Sequence, residues 1–130
     1  MRPFRKKAFL QLPMTQDSLQ ELTLRLRQFA SERDWDRFHS PKNLAMALTG
    51  EAGELAAEFQ WLTESESQEL DPERLIRVQQ EAADVLLYLV RLSDKLRFDL
   101  LRVADQKIEL NAQKYPADQV RGSARKYTEY

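Results

Sequence analysis

Four stretches of this chain repeat apolar residues at helical spacing, and no stretch alternates apolar with polar as a half-buried strand would. Leu19, Leu22, Leu26 and Phe29 share one helical face behind Ser18, and Glu21 three residues after Ser18 completes a capping-box signature, so a first helix is predicted over 18–33. The segment RDWDRFHS breaks that pattern. Ser40 before Pro41 pairs a cap residue with a first-turn proline and opens a second helix, predicted over 41–62. TESESQELD is polar and reads as a loop. Asp71 and Pro72 repeat the start signal for a third helix over 72–97, and a fourth spans 99–114. It stops before Pro116, because a residue preceding proline disfavours helical backbone. The expected fold is all-α, a four-helix bundle.

The third helix is apolar on almost every side. Between Ala82 and Leu92 only Asp84 and Arg91 carry charge. Such a helix wants neighbours all round. A chain of 130 residues offers few, so association into a dimer or a dimer of dimers is expected.

Glu51 sits on the same helical stripe as Leu48, Leu55, Phe59 and Leu62, which should face the core. Glu54 follows at i+3, one turn on. Glu81 and Asp84 repeat that spacing on the third helix, with Tyr88 one further turn along. A single acidic pair on a helix is ordinarily solvated. Two pairs on separate helices, each in apolar sequence, are costly to bury and repel one another unless a cation joins them. All four donors are carboxylate oxygens, which suits Mg²⁺, Mn²⁺ or Ca²⁺. The only histidine, His39, lies outside both pairs, so di-iron chemistry of the Glu-x-x-His kind is disfavoured. Gly53, between the paired glutamates, reads either as mere tolerance or as an allowance for close helix approach.

Composition narrows the partners. Net charge is −1, which gives no broad electrostatic grip on a nucleic-acid polymer. There is no cysteine, so disulfides and thiolate metal sites are excluded, and a cytoplasmic setting is compatible. The longest strongly apolar run, VLLYLV, is far too short to span a membrane. Residues 1–17 read as a flexible basic leader. A phosphate-bearing ligand needs cations, and Lys107, Lys114, Arg121, Arg125 and Lys126 cluster late in the chain. A base needs flat partners, and Trp35, Trp61, Tyr88 and Tyr115 are available. Asn111 lies one turn beyond Lys107.

EAGELAAEFQW, EAADVLLYL and KIELNAQKYP together resemble the all-α nucleoside triphosphate pyrophosphatases of the MazG-like superfamily. FASERDWDRFHSPKNLAMAL and RGSARKYTEY are similar to its dCTP pyrophosphatase branch. The resemblance runs from about residue 18 to 130, and its core is E-x-x-E, a 26-residue spacer and E-x-x-D. It implies a MazG-like domain over 18–116 with a basic tail over 117–130 contributing to the phosphate site. It implies Mg²⁺-dependent hydrolysis of a dNTP to dNMP and diphosphate in nucleotide-pool house-cleaning, with Mn²⁺ as a substitute, in a cytoplasmic homodimer or homotetramer. Glu51, Glu54, Glu81 and Asp84 would be the metal ligands, and Glu51 or Glu54 would also orient and deprotonate the attacking water. Trp35, Trp61 and Tyr88 would line the base and sugar pocket, with His39 nearby. Lys107, Asn111, Lys114 and Tyr115 would approach phosphates and sugar, and Arg121, Arg125 and Lys126 would close over the triphosphate. Leu26 and Arg27 stand where some relatives carry a histidine near the base, so base choice stays open between dCTP, its 5-modified forms and a broader range. A different class of reading is a non-catalytic helical nucleotide-binding or adaptor protein.

Overall fold

Local chemistry at the chain breaks explains where the helices begin and end. In the computed structural model, which describes residues 18–125 and 128, helix α1 spans Ser18–Glu32. Ser18 is already inside the helix, and what precedes it lies outside the described residues. The C-terminus of α1 closes through a Schellman turn. Asp34 takes the left-handed conformation at φ 53°, Trp35 N–H bonds the Ala30 carbonyl at 2.9 Å and Asp34 N–H bonds the Ser31 carbonyl at 3.2 Å. Aspartate tolerates that conformation in place of the usual glycine. The turn brings Trp35 edge-on to Phe29, with ring centroids 5.7 Å apart, and a short 3₁₀ turn follows at Asp36–Phe38.

Helix α2 spans Pro41–Ala57, capped as predicted: Ser40 Oγ accepts from Asn43 N–H at 3.1 Å. It ends five residues earlier than the apolar pattern suggested. Arg74 of the neighbouring helix donates to the Glu58 carbonyl, the group that would accept from Leu62 in a continuing helix, and Leu62 N–H turns back to Phe59 instead. Arg77 Nε holds the Glu58 carboxylate at 2.9 Å. The segment expected to be a loop contains a short helix α3, Glu64–Gln68, opened by a reciprocal capping box between Thr63 and Glu66. The T-x-x-E signature was visible in the sequence. Helix α4, Pro72–Leu96, starts where Asp71 accepts from Arg74 N–H at 2.9 Å. Helix α5, Leu100–Lys114, starts where Asp99 accepts from Arg102 N–H at 3.1 Å. A four-residue helix α6, Ala117–Val120, follows Pro116.

The described residues contain no strand. They divide into one unit up to Leu96 and a second from Arg97 onward. In the first, α4 packs along α2 and, less extensively, against α1. Its fully buried apolar side chains are few: Ala30, Leu44 and Val90. Met46 is 64% exposed, and Leu86 on the over-apolar face of α4 is also exposed. In the second unit, positions 101–114 of α5 are all exposed. The position that a Cβ on Gly53 would take meets open space, so no close approach among the described residues depends on that glycine. Among the described residues no helix is long and apolar enough to cross a membrane.

Candidate metal centre and adjoining cavity

The packing of α2 on α4 is what gathers the acidic pairs. Each pair repeats at i, i+3 and therefore projects from one side of its helix. Carboxylate oxygens of Glu51, Glu81 and Asp84, all half-buried, lie within 4.8 Å of one another. Glu51 Oε2 and Glu81 Oε2 are buried and have no hydrogen-bond partner among the described residues. Glu54 is exposed and stands outside this three-residue group, though its carboxylate acts on Glu81. The Glu81 carboxyl is pushed up to about 7, first by its interaction with Glu51, then by burial, then by Glu54. A buried carboxylate oxygen without a donor is expensive. The donor set, hard oxygens with no cation paired to them among the described residues, fits a divalent metal ion.

A cavity of about 510 Å³ opens beside the carboxylates, walled in part by Glu51 and Asp84 themselves. Trp35, His39 and Tyr88 line it. Helix α1 supplies Leu22, Arg25, Leu26 and Phe29. Of that face only Leu26 was marked as near a base, by the resemblance, and its closeness to the carboxylates depends on α1 packing against α4, which no local spacing encodes. Leu87 and Arg91 complete the wall.

Trp61 is 87% exposed in the turn after α2 and does not line this cavity. Lys107, Asn111 and Lys114 follow at i, i+4 and i+7 and so share one face of α5, and half-buried Tyr115 caps that helix through its N–H to the Asn111 carbonyl at 2.8 Å. Arg121 and Arg125 are exposed in the same second unit. Lys126 lies outside the described residues.

Arg91 is the wall residue that sequence reasoning passed over, noted only as a charge in an apolar run. Its buried guanidinium meets His39, Asp36 and Asp94. Asp94 in turn is gripped by Arg27, and Asp36 by Lys95. Those cations hold both aspartates below the usual carboxylate range, Arg27 foremost for Asp94 and Lys95 foremost for Asp36.

Comparison with known proteins gives concordant matches. The MazG-like family model matches residues 47–130. The chain is 48% identical over 104 residues to dCTP pyrophosphatase 1 of Homo sapiens, covering 78% of this chain and 61% of that protein. It is 41% identical over 117 residues to dCTP pyrophosphatase 1 of Bos taurus, covering 88% and 69%. A solved pyrophosphatase structure from Archaeoglobus fulgidus superposes with a TM-score of 0.71 at 38% identity, covering 75% of this chain and 92% of that one. The chain thus spans about 61% of the length of the human relative.

Proposed function

This chain belongs to the MazG-like family, and from that premise we propose that it is a Mg²⁺-dependent nucleoside triphosphate pyrophosphohydrolase acting on dCTP or a modified dCTP. The reaction adds water across the α–β phosphoanhydride, breaking that bond and releasing dNMP and diphosphate. One observation carries the reading: two buried carboxylate oxygens, on Glu51 and Glu81, lie in a cluster of acids with no donor to satisfy them. Glu51, Glu54, Glu81 and Asp84 hold the ion in this proposal, with Mn²⁺ as a substitute. Bound there, it supplies positive charge against the triphosphate oxygens and the leaving diphosphate.

The chain's own groups divide the remaining work. Glu51 or Glu54 orients the attacking water and takes its proton, and exposed Glu54 is the better placed to meet solvent. Trp35 and Tyr88 provide aromatic surface for the base, with His39 beside them. Lys107, Asn111, Lys114, Tyr115, Arg121, Arg125 and Lys126 are assigned to the triphosphate and sugar. Association into a homodimer or homotetramer is part of the same proposal. It is supported by the few buried apolar side chains and by exposed Met46, Leu86, Leu101 and Ile108. A nucleotide-pool substrate fits a cytoplasmic setting. The test is diphosphate release from a panel of dNTPs with and without Mg²⁺. Metal-dependent release, strongest with dCTP or its 5-modified forms, is expected; no release from any nucleotide would overturn the assignment in favour of a binding module.

A further inference from the structure

The one histidine of the chain is held by an arginine that the proposed reaction does not use. The Arg91 side chain is 6% exposed, in a helix segment otherwise apolar from Val85 to Leu92. Its Nε donates to His39 Nδ1 at 3.2 Å, its Nη2 to Asp36 Oδ1 at 2.5 Å and its Nη1 to Asp94 Oδ2 at 3.3 Å. Arg27 fixes Asp94 from the far side, Nε to Oδ2 at 2.8 Å and Nη2 to Oδ1 at 2.6 Å, and Lys95 Nζ fixes Asp36 at 2.5 Å. The guanidinium therefore has little freedom to turn.

A guanidinium offers only N–H donors and keeps its charge in a protein. His39 Nδ1 must then be the acceptor in this contact and carry no proton. In the neutral ring the proton sits on Nε2. A second proton on the ring is disfavoured by burial first, then by Arg91 and Lys95, against the opposing pull of Asp36. No other hydrogen bond to the ring exists among the described residues, so Nε2–H is left for a ligand. The cavity that His39 lines also carries Trp35 and Tyr88, aromatic surfaces suited to a flat heterocycle, and the charged groups Arg25, Glu51 and Asp84. For packing alone a leucine at position 91 would serve, without a buried charge that needs two aspartates to balance it.

We propose that Arg91 is a positioning residue that fixes His39 as an Nε2 donor, so that the cavity selects a base by a hydrogen-bond acceptor on its edge and ranks cytosine above uracil. The inference deepens the nucleotide reading above and rests on it for the ligand class. O2 accepts in both bases, so the discrimination falls at N3, an acceptor in cytosine and an N–H donor in uracil, and the donor is assigned to that atom. The opposite tautomer, with Nε2 bare, would reverse the preference. Which nitrogen holds the proton thus decides the base, and Arg91 decides the nitrogen.

Two measurements test this. Long-range ¹H–¹⁵N spectra of the untagged protein read the protonation of both ring nitrogens without any substrate, and a single histidine needs no assignment. The wild type should show a proton on Nε2 only, and Arg91→Lys, which keeps the charge but loses the Nε donor, should show both tautomers. Calorimetric titration with dCMP and dUMP then gives the affinity ratio without turnover. Arg91→Lys should narrow the dCMP preference by about tenfold, the worth of one hydrogen bond of about 1.4 kcal/mol. Adding Arg91→Lys to His39→Phe should narrow it no further. A proton on Nδ1 in the wild type, an unchanged ratio in folded Arg91→Lys, a further loss on the His39→Phe background, or no binding of either nucleotide would each overturn the proposal. Absence of diphosphate release alone would sink the hydrolase reading and leave the tautomer and affinity results to decide this one.

Discussion

The most direct consequence of the carboxylate cluster is competition between protons and metal, and Glu81 sets its size. Without a metal its carboxyl stands at about 7, raised chiefly by Glu51 and then by burial. Its unfolded value is 4.5, so the folded state holds the proton more tightly. That proton destabilises nothing while both states keep it at low pH. As pH rises from about 4.5 through 7 the folded state must give it up against its neighbours, and the metal-free protein loses stability across that window. Mg²⁺ needs the ionised form, so bound protons weaken it. With a value of about 7, the apparent dissociation constant is multiplied by ~1.1 at pH 8, ~2 at pH 7 and ~11 at pH 6. Mg²⁺ should bind about tenfold more weakly at pH 6 than at pH 8, and should expel roughly half a proton per ion at pH 7. Calorimetric titrations at the three pH values, each in two buffers of different ionisation enthalpy, measure both quantities. In Glu81→Gln the metal-free protein should melt higher than wild type at pH 8, Mg²⁺ should no longer raise its melting temperature, and the proton release should vanish. A Mg²⁺ affinity constant within twofold from pH 6 to 8, with no proton expelled, would refute the reasoning.

Glu54→Gln should abolish diphosphate release while leaving far-UV circular dichroism unchanged, because Glu54 is exposed and contributes nothing to the core; undiminished turnover would remove it from any essential role. Asp94→Asn should lower the melting temperature at neutral pH, since Asp94 receives both Arg27 and Arg91. Its carboxyl is held below the ordinary range, so the stability it provides is complete above the unfolded value and is lost as pH falls through the lower folded one; wild type and variant should converge in melting curves taken towards pH 2. Leu44→Ala, at a side chain 1% exposed between the packed helices, should cost about 3 kcal/mol in urea unfolding, and a cost under about 1 kcal/mol would mean that position 44 is not core.

What the sequence carried was local. Ser40–Pro41 and Asp71–Pro72 announced helix starts that the structure uses, because a cap needs only a side chain and the backbone three residues on. The period of 3.6 residues put Glu51 and Glu54 on one helix side and Glu81 and Asp84 on another, which is why the cluster was legible before any coordinates. What failed to show was set by contacts between helices. The early end of α2 depends on Arg74 reaching the Glu58 carbonyl from 16 residues away. The turn after α1 uses aspartate where glycine would have been the signal. Arg91 looked like a stray charge, since two of its partners, Asp36 and His39, come from the 3₁₀ turn more than fifty residues away and only Asp94 from its own helix. Trp61, which closes EAGELAAEFQW, lies beyond that early end of α2.

Helix α4 itself shows how buried acids that hold a fold differ from acids that await a ligand. Asp94 is met by two guanidinium groups, and its carboxyl is driven down. Glu81, more than three turns earlier on the same helix, has other carboxylates for neighbours, an oxygen without a donor, and a carboxyl driven up. Both sets are half-buried, so burial alone does not separate them. What separates them is whether the chain brings its own cations. Around Asp94 it does, and those charges are spent on holding α1, α4 and the 3₁₀ turn together and on orienting Arg91 towards His39. Around Glu81 none of the described residues supplies a cation, and a bound metal ion would provide the missing positive charge. A solvated surface pair would need no such charge, and a purely structural pair would have been given an arginine, as the Asp94 site was. The uncompensated cluster therefore reads as a binding site, and the compensated one beside it as the frame that fixes the wall of the same cavity.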